Sequence, residues 1–112
     1  MTNILQWNIR SLKQRITSLG SLIESKTPEV FCLQETKLED INSKYYSKSY
    51  EAYHYINKNK SIAAGGTSIF VKKSIPQSEI CLNTNLQAKA VRVTLNKPLT
   101  ICSIYIASNE NY

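Results

Sequence analysis

An α/β fold built on a mixed sheet is what this sequence predicts, and three observations predict it. Ile4-Leu5-Gln6-Trp7-Asn8-Ile9, an amphipathic helical stretch and the apolar run Val30-Phe31-Cys32-Leu33 follow one another in β-α-β order. That order calls for two parallel strands joined by a right-handed crossover. The second strand is apolar at nearly every position, as a strand covered on both faces must be. Towards the C-terminal end, two alternating segments flank Asn96-Lys97-Pro98 and read as an antiparallel hairpin, so both kinds of pairing are expected in one fold.

Taken in order, residues 4 to 9 form the first strand. Ser11 is placed to cap a helix whose apolar positions Leu12, Ile16, Leu19, Leu22 and Ile23 recur at close to 3.6 residues. Lys26 suits the negative C-terminal end of that helix, and Pro28 prevents its continuation. Residues 29 to 34 form the second strand. Residues 37 to 49 are polar and irregular, with a helical turn expected near Tyr45-Tyr46. In residues 51 to 56, Tyr53 and Tyr55 alternate with Ala52, His54 and Ile56, which predicts a strand with two unlike faces. Asn57 to Ser61 reads as a basic turn. Gly65-Gly66 then leads into the strand Thr67-Ser68-Ile69-Phe70-Val71, and the glycines permit close backbone approach or an unusual dihedral. Pro76 ends that element. Residues 88 to 95 and 99 to 107 are the hairpin strands, with Val91, Val93 and Leu95 turned to the core.

The 112 residues fit one domain at most, and a chain of this size buries roughly two thirds of its unfolded surface. No stretch approaches the roughly 20 apolar residues of a membrane-spanning helix. The N-terminus enters strand-like sequence directly, without the parts of a secretory signal, so a soluble, non-secreted protein of the nucleus or cytoplasm is expected. Three cysteines, odd in number and without short paired spacing, indicate neither a disulfide framework nor a zinc site. Cys32 and Cys102 read as small buried hydrophobes within strands. Net charge is +6, from 14 Lys and Arg against 8 acids. Such a balance attracts a polyanion such as nucleic acid or an anionic membrane surface, although the scattered basic residues serve plain solubility equally well.

The chemistry centres on Gln34-Glu35-Thr36, which puts one carboxylate at the tip of a buried strand. Open α/β sheets bind ligands beyond the carboxyl ends of their strands, and Mg²⁺ is typically held through one or two carboxylates with waters and substrate oxygens. The alternative is a solvated acid opening a loop. Asn8, near the end of the first strand, can orient a phosphate or a metal-bound water, or can satisfy local backbone groups. Tyr105, in the last strand, can bring a phenol to a reacting phosphate or simply pack with a wet hydroxyl.

Taken together, WNIRSL at 7 to 12, LQETKL at 33 to 38, GGTSIFVKKSI at 65 to 75 and ICSIYIAS at 101 to 108 lie in register with the strand pattern. In that order the chain resembles the endonuclease/exonuclease/phosphatase superfamily nearly from end to end. It is most similar to the apurinic-like endonuclease domain of non-LTR retrotransposons of the jockey type. The resemblance implies a deoxyribonuclease I-like fold, a four-layer α/β/β/α sandwich with mixed sheets. It also implies a Mg²⁺ or Mn²⁺ cofactor and DNA as partner, without a membrane. By this likeness Glu35 matches the metal-binding glutamate, Asn8 the active-site asparagine that also faces the metal, and Tyr105 the tyrosine that approaches the scissile phosphate. The Gly65-Gly66 strand reads as structural.

Arg10 stands two places after Asn8, where apurinic endonucleases carry an acid, which points to a retroelement-like version with Arg10 on the DNA. Ser108 stands where many relatives have a phosphate-contacting Asn, and Asn109 is adjacent; both are candidate phosphate contacts. Members of the superfamily continue into a second half with Asp-x-Asn and Ser-Asp-His motifs. The chain is therefore expected to be the N-terminal half of such a domain, truncated, with an apolar face and open strand edges. A C-terminal endonuclease half and a reverse transcriptase are the expected partners in a full-length protein. The implied reaction is metal-assisted nicking of DNA to expose a 3′ hydroxyl for target-primed reverse transcription, with negligible nicking by these 112 residues alone. Two alternatives stand beside it: a catalytically dead nucleic-acid-binding remnant, and a phosphodiesterase acting on an inositol or sphingolipid head group.

Overall fold

The computed structural model describes residues 2–40, 42–57 and 65–106. Seven strands and one helix follow one another as β1 (Ile4–Asn8), α1 (Ile16–Lys26), β2 (Val30–Gln34), β3 (Tyr50–Tyr55), β4 (Thr67–Lys72), β5 (Gln77–Ile80), β6 (Gln87–Thr94) and β7 (Pro98–Tyr105). One sheet has the order β1-β2-β4-β3 and the other β5-β6-β7. β1 and β2 are parallel, joined through α1, whereas β2–β4 and β3–β4 are antiparallel, so the first sheet is mixed. The second sheet is antiparallel throughout.

β2 explains why its sequence is apolar without alternation. Phe31 and Leu33 face α1 in a cluster with Leu19, Ile23 and Phe70, while Val30 and Cys32 pack between the sheets against Ile69, Val71, Val91 and Val93. Both faces of the strand are covered. Phe31 stacks on Phe70 across the β2–β4 pair with ring centroids 4.4 Å apart, and Tyr50 meets Phe31 edge-on. Tyr53, on the other face of β3, reaches the inter-sheet core and donates its hydroxyl to Gln77 Oε1 at 2.7 Å. The layers run helix, sheet, sheet. Among the described residues no element covers the outer face of the second sheet, where Ile104 is 45% exposed. No helix of the described residues is long and apolar enough to cross a membrane.

Several expectations need correction. The helix starts at Ile16, because Arg10 and Ser11 have φ of 53° and 95°, outside the helical region, and residues 12 to 15 form a turn. Ser11 Oγ accepts from the Gln14 N–H at 3.3 Å and so stabilises that turn, not the helix, whose N-cap is Arg15. The C-terminal end is as expected: Lys26 lies in the last turn, Thr27 adopts φ 41° with its N–H on Ile23 O, and Pro28 follows. Pro76 does end β4's segment, but a further edge strand, β5, begins immediately after it. Its residues Gln77-Ser78-Glu79-Ile80 are too polar to announce a strand, which is how an edge strand avoids unwanted pairing. The hairpin is real, but Pro98 belongs to β7, opposite Thr94, where a strand's first residue tolerates a missing donor.

Cys102 is exposed, not buried. In β7 the residues facing the first sheet are Ile101, Ser103 and Tyr105, which leaves Cys102 and Ile104 on the outer face. Cys32 is buried, and burial pushes its thiol up to about 11. His54 is a packing residue on the helix side, its ring edge-on to Phe70 and its Nδ1 2.6 Å from Ser68 Oγ. Burial lowers its pKa. Most of the basic turn from Asn57 to Ser61 lies outside the described residues.

Candidate active site

β1 and β2 end side by side, with Asn8 opposite Gln34. Beyond the ladder the two chains stay paired: the N–H of Ile9 donates to Gln34 O, that of Ser11 to Glu35 O and that of Leu12 to Thr36 O, at 2.9 to 3.0 Å. Four non-glycine residues in these loops sit at left-handed φ: Arg10 at 53°, Ser11 at 95°, Glu35 at 58° and Lys37 at 55°. Each such conformation costs on the order of 1–3 kcal/mol and persists only where its surroundings over-determine it.

The surroundings here are the Gly65-Gly66 arch. Gly66 O accepts from Glu35 N at 2.8 Å and from Thr36 N at 3.3 Å, and Gly65 O accepts from Lys37 N at 3.0 Å. A side chain cannot be placed on this arch. A Cβ at Gly66 would lie 2.6 Å from Thr36 Oγ1, and Gly66 itself has φ 92°. The two glycines thus serve close backbone approach, and the strand they open holds the loop that carries Glu35.

Tyr105 comes from the other sheet, at the end of β7, and its phenol donates to Glu35 Oε1 at 2.8 Å. Beneath this contact a polar network joins the sheets. Gln34 Nε2 donates to Ser103 Oγ at 2.8 Å, Gln34 Oε1 accepts from Gln6 Nε2, and Thr67 Oγ1, in contact with Ser103 Oγ, donates to Leu33 O at 3.0 Å. Gln34 and Ser103 are buried, so this network replaces the solvation they lose. Asn8, Gln34 and Tyr105 line one open groove of about 590 Å³ between the edges of β1 and β7.

The structure therefore brings Asn8, Glu35 and Tyr105 to one end of the sandwich. Arg10 is exposed in the loop that follows Asn8, and exposed Lys37 follows Glu35 by two residues. Ser108 and Asn109 lie outside the described residues. Sequence reasoning missed the supporting side chains Gln6, Gln34 and Ser103. Gln34 carried a signal, since a glutamine closing an otherwise apolar run must find a partner once buried. Ser103 carried none.

As a metal site, the group offers one carboxylate and one amide oxygen. Among the described residues there is no cluster of three or more His, Cys, Asp or Glu. An all-oxygen donor set of low charge suits a hard dication that keeps several waters, as Mg²⁺ does, and not a thiolate- or imidazole-seeking metal. Glu35 and Asn8 are the residues that would hold it.

Comparison with known proteins places this geometry in context. A DNA-(apurinic or apyrimidinic site) endonuclease of Dictyostelium discoideum is 34% identical over 73 residues, which cover 62% of this chain and 20% of that protein. The crystal structure of AP endonuclease LMAP from Leishmania major superposes with a TM-score of 0.69 at 17% identity, covering 95% of this chain and 40% of that one. The human Nocturnin catalytic domain gives a TM-score of 0.71 at 14% identity, covering 96% and 50%. At these identities the two structures establish the α/β fold with mixed sheets, and the chain spans half or less of the length of each. The family profile described as Endonuclease/Exonuclease/phosphatase family matches residues 5–107, nearly the whole sequence, and the chain belongs to that family.

Proposed function

We propose that these residues form the N-terminal half of a metal-dependent DNA endonuclease of the retroelement type, which nicks target DNA in the nucleus or cytoplasm. The observation that carries this reading is the Tyr105–Glu35 hydrogen bond, which unites the two sheets at the strand ends where Asn8 also lies. The Dictyostelium relative is itself an endonuclease of apurinic DNA, which supports DNA as substrate. Arg10 in place of an acid favours the retrotransposon version over a dedicated repair enzyme.

In this reading the Asn8 amide donates to a phosphate oxygen, and the Tyr105 phenol fixes the Glu35 carboxylate and faces the same phosphate. Arg10, Ser108 and Asn109 contact the DNA backbone and set its register. Glu35 and Asn8 would hold a dication, Mg²⁺ or Mn²⁺, whose positive charge would offset negative charge developing on the phosphate. Nucleophile activation must come from elsewhere. The single histidine, His54, is buried against Phe70 and bonded to Ser68, so it does not act as the base. Loss of a general base typically forfeits about 10²- to 10⁴-fold in rate, so the 112 residues alone nick DNA negligibly and need the C-terminal half of the domain. A reverse transcriptase domain in the same full-length protein would use the exposed 3′ hydroxyl.

The test is nicking of supercoiled plasmid by the chain joined to its natural continuation. Mg²⁺-dependent nicking that Glu35→Gln abolishes is the expected result; unchanged nicking by that variant removes Glu35 from the role. The position of His54 also favours a second reading, a catalytically dead nucleic-acid-binding remnant. Under that reading the joined protein binds DNA in a salt-sensitive manner, Glu35→Ala leaves binding intact, and Mg²⁺ produces no cleavage.

A further inference from the structure

Gln87 opens β6 in the second sheet and is 5% exposed. Burying a glutamine costs free energy unless its polar atoms are used, and its Oε1 accepts from the Gly66 N–H at 2.8 Å. The carbonyl of Gly66 in turn accepts from the N–H of Glu35 at 2.8 Å. One side chain of the second sheet is thus connected, through the single residue Gly66, to the left-handed residue that carries the carboxylate. The fit is tight, since a Cβ on Gly65 would lie 2.6 Å from Gln87 Oε1. Gln87 is also the residue directly opposite Tyr105 in the β6–β7 register. The same residue therefore sets the backbone position of the phenol and, through the glycine arch, that of the carboxylate.

Resting on the reading of Glu35 as a metal ligand, we infer that Gln87 is the positioning residue of this site: by accepting from Gly66 N while pairing with Tyr105, it fixes the Glu35–Tyr105 spacing and presents Glu35 to a hard divalent cation. It touches neither metal nor substrate. Gln34 and Ser103 join the sheets nearby, whereas Gln87 connects to both halves of the Glu35–Tyr105 pair.

The test uses the isotopically labelled 112-residue chain titrated with Mn²⁺, read as paramagnetic broadening of the amide NMR signals of Glu35, Thr36 and Tyr105. Gln87→Leu, which removes the acceptor at similar volume, should require about tenfold more Mn²⁺ for the same broadening. Without metal, amide exchange at Glu35 and Gly66 should quicken in that variant while α1 is unchanged. Gln87→Glu keeps an acceptor and should titrate as the parent chain does. Should Gln87→Leu fail to fold, Gln87→Asn retains the amide but falls one methylene short, and the same shift is expected. Parent-like Mn²⁺ response in the acceptor-deleted variant, or equal loss in Gln87→Glu, overturns the inference while leaving Glu35 a ligand. A response that survives Glu35→Gln sinks the metal reading itself, and this inference with it.

Discussion

The two outward-facing surfaces of the sandwich carry similar residues and meet different fates. On the helix side of the first sheet, Phe31, Leu33 and Phe70 lie fully buried beneath α1 and the loop that follows β2. On the outer side of the second sheet, Ile104 and Cys102 stand exposed, with Leu82 and Ile106 also uncovered nearby. Apolar composition does not say whether a strand face is covered. Coverage comes from an element that packs there, and among the described residues only the first sheet has one. The site lies where the sheets join, and its residues depend on both.

Several substitutions break or sharpen this contrast. Phe31→Ala on the covered face removes a ring that contacts Phe70, Tyr46 and Tyr50, and should cost about 3–5 kcal/mol in urea denaturation. Equal loss from Ile104→Thr would erase the distinction between the faces. At the junction of the sheets, Gly66→Ala should cost roughly 1–3 kcal/mol, since it puts a Cβ against Thr36 Oγ1 at a left-handed φ. A neutral result would mean that the arch yields, and that Glu35 is held by something else.

Protonation reports on the covered face independently. Because burial lowers the pKa of His54 in the folded state, the unfolded chain binds the proton more tightly, and neutral His54 is favoured in the fold. Stability is therefore complete above the ordinary histidine value of 6.5 and falls as pH drops below it. The thermal midpoint should decline between about pH 7.5 and about pH 5.5, and His54→Gln should flatten that decline. Glu29 acts in a separate window. The Asn3 N–H on its carboxylate, aided by Lys72, lowers its pKa, so its contribution disappears only below the ordinary value of 4.5.

Thiol chemistry draws the same line between inside and outside. Cys81 and Cys102 should be alkylated in the native protein, whereas Cys32, buried and raised to about 11, should react only on unfolding. Mass spectrometry after brief iodoacetamide treatment reads all three at once, and early labelling of Cys32 would show that the inter-sheet core opens readily. The smallest effect is expected from Ile104→Thr, within about 0.5 kcal/mol, with reduced self-association at high concentration as the apolar face becomes polar. Light scattering measures the second part, and unchanged association would clear that face of any role in it.

The order β-α-β, the continuous apolar run of β2 and the hairpin were legible because each leaves a periodic or compositional trace along the chain. Glu35 at the strand tip was legible for the same reason. β5 was not, since an edge strand pairs on one side only and can be polar throughout. Nor was the inward face of β7: Ile101, Cys102 and Ile104 are apolar on both parities, and the choice fell to Ser103 and Tyr105, which have hydrogen-bond partners on the first sheet. By itself, then, the sequence determined the apolar strands and where a carboxylate sits, because those follow from local propensity and burial. Only the tertiary structure decided that residues 35, 66, 87 and 105 meet, because their hydrogen bonds join two sheets across separations that no local pattern encodes.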